Sequence, residues 1–275
     1  MTATFLLRQT KLMTIPIYQV DAFTQEIYSG NPAAICPLPA WIPEDQMQRI
    51  AFENNLAETA FVVPEGNDYH IRWFTPSIEV ALCGHATLAA AFVYYTQLGY
   101  QGEKIRFNSK SGWLTVTPGS GNSFTLDFPF DPPKPTTEIP EGLFEGLGIS
   151  ARTVYKGKFD YMVVLDNQEM VATLKPDFRK LSTIPSRGIL VTAQGKDVDF
   201  VSRCFFPQSG IDEDPVTGSA HCLLTPYWAS VSGKLDFKAI QWSARKGWLD
   251  CQLHNDRVLM SGHAVLFLKG EIFAG

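Results

Sequence analysis

The residue types in this 275-residue chain that could move a proton gather at two glycine turns. The first turn reads Cys83-Gly84-His85-Ala86 and runs into an apolar stretch that continues to Tyr95. The second reads Thr217-Gly218-Ser219-Ala220 and runs into another, through Trp228. Both stretches have helical length. A helix start leaves four backbone N–H groups without helical partners, and the aligned peptide dipoles make it positive. Such a start suits a carboxylate. Glycine has no Cβ and lets a ligand approach the backbone. Two starts facing one cleft would grip a carboxylate from both sides.

Acids precede both turns. Glu58 lies in "NNLAETAFVV", where a polar stretch meets an apolar strand. Asp214 lies in "GIDEDPVTGSA", ahead of Gly218. In a partly dry cleft, carboxyl groups are general acids and bases. In solvent, Glu58 is equally a strand end, and Asp214 a turn or helix cap. His85 could donate a hydrogen bond or shuttle a proton, or else cap the helix. A thiol at a helix start has a lowered pKa, which would make Cys83 a nucleophile or base. Buried, it packs as a small apolar residue. His70, His221, His254 and His263 have no metal-ligand spacing to one another. Phosphate-loop, dinucleotide and nucleophile-elbow motifs are absent, so the reading calls for no cofactor and no metal.

These residues need elements to position them. "IPIYQVDAF" and "NPAAICPL" read as neighbouring strands across a Gly-Asn-Pro turn. "WIPEDQMQRIAFEN" reads as a helix with Pro43 first, Glu44 and Asp45 at its positive end, and Met47, Ile50 and Ala51 on one face. "ETAFVVP", "YHIRWFTP", "KIRFNSKSG", "WLTVTPG" and "SFTLDFP" read as strands around the first apolar helix. "PFDPPKPTTEIPEG" holds five prolines and reads as a linker. "DYMVVLD", "GILVTAQ", "DFVSRCFF" and "HAVLFLKGEIF" repeat the strand style around the second helix. Both helices are apolar nearly all round, as a helix wrapped by sheet must be. The class is α+β, in two halves, 1–130 and 131–275, with 1–13 a dispensable extension and Met13 an alternative start.

Composition narrows the function. Hydrophobic residues make up 45% and charged residues 19%, enough for a large core. The net charge of −5 gives no basic face for nucleic acid, and no polybasic run or apolar span points to a membrane. Five scattered cysteines without a C-x-x-C read as reduced thiols of a cytoplasmic protein.

Together, "DAFTQEIYSGNPAAI", "NLAETAFVV", "IRWFTPSIEVALCGHATLAAA" and "EDPVTGSAH" resemble the PhzF-like (phenazine-biosynthesis-like) family in order and spacing. The resemblance implies a fold similar to diaminopimelate epimerase. In that fold two pseudo-symmetric halves each wrap a mixed sheet around a central helix, with the cleft between them. It implies that the last strand crosses back to the first half, and that the chain forms a homodimer. In the family's phenazine enzyme one glutamate moves a proton between ring carbons, and Glu58 matches it. His85, Gly84, Asp214, Gly218 and Ser219 match its supporting residues, and Asn31 falls where the family lines the cleft. Related epimerases use two cysteines. Cys83 matches the first, but Pro215 stands at the second and cannot act as a base. The expectation is therefore a cofactor-independent isomerase of a small carboxylated metabolite. Two readings stand beside it: a cysteine-assisted epimerase or racemase, and a non-catalytic interaction module with a vestigial cleft.

Overall fold

The structure, a computed structural model, describes residues 13–274. Most of the expected N-terminal extension, residues 1–12, lies outside the described residues. Met13 does not end an extension but opens the first strand.

The first half begins with β1 (Met13–Ala22) and β2 (Asn31–Pro37), paired antiparallel. Gly30 closes the turn between them at φ +64°, where a Cβ would fall 2.2 Å from the Ala22 carbonyl oxygen. Helix α1 (Glu44–Asn54) follows, with Pro43 as its N-cap and not, as expected, its first helical residue. Next come β3 (Glu58–Glu65), β4 (Asp68–Phe74), β5 (Glu79–Val80), α2 (Gly84–Thr96), β6 (Ile105–Asn108), β7 (Leu114–Pro118) and β8 (Ser123–Pro129).

The second half runs β9 (Lys134–Pro135), α3 (Leu143–Leu147), β10 (Val154–Lys156), β11 (Asp160–Val164), α4 (Gln168–Thr173), α5 (Phe178–Leu181), β12 (Gly188–Gln194), β13 (Phe200–Phe206), β14 (Ile211–Asp214), α6 (Gly218–Ser232), β15 (Asp236–Gln241), β16 (Gly247–His254) and β17 (Arg257–Ala274).

The two halves repeat one pairing scheme. In the first, β1–β2 is antiparallel, β2–β3 parallel, β3–β4 antiparallel, β4–β6 parallel, and β6–β7 and β7–β8 antiparallel. In the second, β10–β11, β11–β12, β12–β13, β13–β15, β15–β16 and β16–β17 follow the same alternation. A short strand precedes each central helix, β5 before α2 and β14 before α6. The last strand joins the halves: β17 pairs with β16 and β8 through its first part and with β1 through its second. The first half thereby closes into a barrel around α2.

Burial explains the sequence pattern. Strands with elements on both faces read as continuous apolar runs, because neither face meets water. In β2, Ala33 and Ile35 face α2, while Cys36 packs with Met47 and Ala51 of α1. In β12, Leu190 faces the inner core, while Ile189 and Val191 join Leu143, Val171 and Leu181 beneath α3–α5. Helix α2 is buried from Gly84 through Tyr94. Among the described residues no helix is long and apolar enough to cross a membrane.

Helix α6 carries Pro226 in its interior. Proline has no N–H, so the Cys222 carbonyl loses its helical partner. The Asp131 N–H of the Pro-rich linker donates to that carbonyl at 2.8 Å. Both Asp131 carboxyl oxygens then accept from the Lys158 N–H, at 3.0 and 2.9 Å. The linker is thus tied to α6 and to the loop after β10.

His221, one turn into α6, is fully buried and donates from Nδ1 to the Thr217 carbonyl at 2.9 Å. Burial pushes its pKa from the ordinary 6.5 down to about 4. Between those values only the unfolded chain takes the proton. The stability contributed by the neutral ring is whole above about pH 6.5 and is lost as pH falls to about 4. Compared with His221→Leu, denaturant unfolding is expected to show the parent chain losing about 3 kcal/mol between about pH 7 and pH 4. A difference that stays constant with pH would contradict a neutral buried ring.

Candidate active site

The starts of α2 and α6 meet. A Cβ added to Gly84 would lie 3.6 Å from Gly218 Cα, and one added to Gly218 would lie 3.7 Å from Gly84 Cα. The glycines were expected to admit a ligand. Here a Cβ on either glycine would stand in ordinary contact with the start of the opposing helix. The N-cap residues, Cys83 and Thr217, make no side-chain cap. Two positive helix ends therefore converge without side-chain caps.

Around this contact the polar residues form a string. Glu58 opens β3 and lies beside Ala33 of the parallel strand β2. Its Oε2 is 3.2 Å from His85 Nε2, with both side chains largely buried. On the other side of the ring, Nδ1 faces the Asn31 amide nitrogen at 3.1 Å and the Cys83 thiol at 3.5 Å. Asn31 has two amide hydrogens for three neighbours, and its shorter contacts, to Asp214 and Val216, take them, so the approach to Nδ1 does not set the tautomer of the ring. The two Asn31 amide hydrogens go to Asp214 Oδ1 at 2.7 Å and to the Val216 carbonyl at 2.9 Å. Asp214 Oδ2 accepts from Thr217 Oγ1 at 2.5 Å. The string thus runs from an acid of the first half to an acid of the second.

Glu58, His85, Cys83, Asn31, Asp214, Gly84 and Gly218 are therefore brought together. Ser219 is set apart: its Oγ accepts from Arg187 Nη1 at 3.2 Å and lines a neighbouring cavity. Sequence reasoning missed Gln241, which is fully buried. Its Oε1 accepts from the Thr217 N–H at 2.8 Å, and its Nε2 donates to the Asp214 carbonyl at 2.7 Å. The one signal for it is a polar residue ending the strand "DFKAIQ". Arg187 was missed too, since it belongs to no motif.

Charge in the string is set by burial. Burial lifts Asp214 from 3.8 to about 6; Glu58 adds to the rise, while His85, Thr217 and Asn31 oppose it. For Cys83 the expectation of a lowered pKa is wrong. Burial and the nearby Glu58 push the thiol up to about 11, outweighing the helix start. Burial disfavours a charged His85, yet Cys83 and Glu58 carry its pKa above the ordinary range. Since the thiol is neutral near pH 7, we assign that effect to Glu58. Glu58, Cys83 and His85 also have donor atoms within 4.8 Å of one another, a set that could hold a soft divalent metal. The thiol lies by Nδ1 and the acid by Nε2, so an ion on one nitrogen would have to draw the other ligand across.

Three buried polar atoms here lack partners: Asn31 Oδ1, and the facing Glu58 Oε2 and His85 Nε2, whose mutual approach is too oblique for a hydrogen bond. Such atoms are costly unless a ligand meets them. With ¹³C-labelled aspartate, the Asp214 carboxyl resonance is expected to titrate at about 6 instead of 3.8. Asn31→Ala, which removes a donor to the charged form, is expected to move the midpoint higher. A midpoint near 4 in the unaltered chain would rule out the desolvated environment described here.

Comparison with known proteins supports the resemblance read from the sequence. Residues 20–270 match the family model described as phenazine biosynthesis-like protein. An uncharacterized isomerase of Pseudomonas aeruginosa is 49% identical over 260 residues, covering 94% of this chain and 99% of its own. The crystal structure of a PhzF-family protein from Enterococcus faecalis superposes with a TM-score of 0.91 at 46% identity, covering 95% of this chain and all of that one. In fold alone, a hydroxyproline epimerase from Agrobacterium vitis is similar, with a TM-score of 0.60 at 10% identity over 94% of this chain and 92% of its own. The chain is an isomerase, and it belongs to the phenazine biosynthesis-like protein family.

Proposed function

We propose that this isomerase works without a cofactor on a small carboxylated metabolite, with Glu58 as its single acid and base. The observation that carries the reading is the meeting of Glu58 and His85 beside two converging helix starts, with polar atoms there still unpartnered. The substrate carboxylate lies against the two helix starts, where backbone N–H groups and helix dipoles favour negative charge. Glu58 takes a proton from a carbon activated by that carboxylate or by a conjugated double bond. The charge that develops spreads into the carboxylate, and the helix ends stabilise it. Glu58 then returns the proton to another carbon on the same face. His85, whose Nε2 lies 3.2 Å from Glu58 Oε2, flanks the acid and limits where it can swing between these steps. Asp214, held by Asn31 and Thr217, positions a polar substituent of the substrate.

The cysteine-assisted alternative has less support. A thiol at about 11 supplies little thiolate near neutral pH, and Pro215 offers no base on the opposite face.

A single base predicts a specific outcome. Glu58→Gln is expected to bind benzoate, measured by calorimetry, as tightly as the parent chain. It is expected to lose about 10²–10⁴-fold in exchange of carbon-bound deuterium in the substrate. Exchange that survives in Glu58→Gln but disappears in Cys83→Ser would transfer the role of base to the thiol.

A further inference from the structure

We propose that Arg187 and Ser219 form a second anion-binding corner, so that the substrate is a dicarboxylate whose far acid lies away from Glu58. The proposal rests on the reading of the cleft as a carboxylate site and extends it.

A cavity of about 780 Å³ lies between the start of α6 and the Pro-rich linker. It adjoins the contact of the two helix starts. Leu82, which immediately precedes Cys83, lines it. So does Phe128, whose ring is 3.8 Å from where a Cβ on Gly84 would stand. Ser219, the residue after Gly218, lines it too, so the cavity begins one residue from that contact and runs under the linker.

Arg187 is held rigidly at this wall. Its Nε donates to Asp160 Oδ1 at 2.9 Å and its Nη2 to Asp160 Oδ2. Asp160 itself is 2% exposed. The guanidinium lies 5.2 Å from the Phe159 ring centroid and 5.8 Å from that of Phe206. Nη1 reaches Ser219 Oγ at 3.2 Å. A guanidinium has five N–H donors. Two go to Asp160 and one to Ser219, which leaves two on a side chain still 35% exposed and lining the cavity.

An ion pair that only tied β11 to the start of β12 would need neither spare donors nor a hydroxyl at a helix start. Asp160 fixes the fork, the aromatic rings fix its plane, and Ser219 sets it beside the positive end of α6. The wider cavity agrees in sign. Lys134, Lys156 and Lys158 line it against Asp131 and Glu138, so it attracts anions. The occupant is therefore a small acid with two anionic groups, one at the helix starts and one at Arg187.

The test is calorimetric binding of two series of probes, the dicarboxylates succinate to pimelate and the monocarboxylates butyrate to heptanoate. At one or more chain lengths the dicarboxylate is expected to bind about ten- to hundredfold more tightly than its monocarboxylate. Arg187→Met is expected to abolish that preference and leave monocarboxylate affinity unchanged. Should the single variant misfold because Asp160 is left unpaired, the double variant Arg187→Gln with Asp160→Asn gives the same readout. Equal binding of the two series, or a preference that survives the loss of Arg187, would overturn the second corner and leave the first intact. Failure of both series to bind would overturn the carboxylate reading of the cleft together with it.

Discussion

The structure depends on one close approach: the backbones of Gly84 and Gly218, near enough that a Cβ on either would touch the other's Cα. Helix starts repel when their positive ends are aimed together, and their N–H groups are costly to bury unpaired. The arrangement persists because two sheets wrap the helices and a large apolar core, from Leu88 and Phe92 to Leu223 and Trp228, holds them in place. The strain of opposing dipoles is what an anion would relieve. A fold that only needed two buried helices would have no reason to aim their positive ends at each other.

A polar string surrounds that contact. Asn31 is its centre, because one amide nitrogen touches His85, Asp214 and the Val216 carbonyl at once. It ties the acid that comes with α6 to the ring that comes with α2. The two acids are not equivalent. Glu58 faces a ring nitrogen alone, whereas Asp214 is shared among Asn31, Thr217 and, through its backbone, Gln241. Asp214 is thus fixed by several donors, while Glu58 has one oblique neighbour.

Much of this was legible in the sequence, and the limits have physical causes. The apolar runs at Leu88–Tyr95 and Ala220–Trp228 announced buried helices, since a helix without a polar face has to be enclosed. Glu58 and Asp214 stood out because acids border apolar elements there. What stayed hidden depends on long-range approach. That the two glycine turns meet could not be read, because sequence shows no opposing helix. Cys83 read as acidic because a helix start lowers a thiol's pKa, while the enclosure that reverses this comes from the barrel around it. Arg187 belongs to no motif, and Gln241 shows only as a polar residue ending a strand; the folding of β15 back along α6 is what brings Gln241 to Thr217.

Pro226 has a consequence for how the halves are joined. By leaving the Cys222 carbonyl free, it lets the linker's Asp131 occupy a place that any other residue's own N–H would claim. The chain beyond Asp131 is thereby tied to α6, although its prolines suggest a loose tether. The halves are joined upstream of it, where β8 ends, and where β17 passes from β16 and β8 to β1. The proline-rich crossing is therefore built into the second half, and the strands carry the connection between the two.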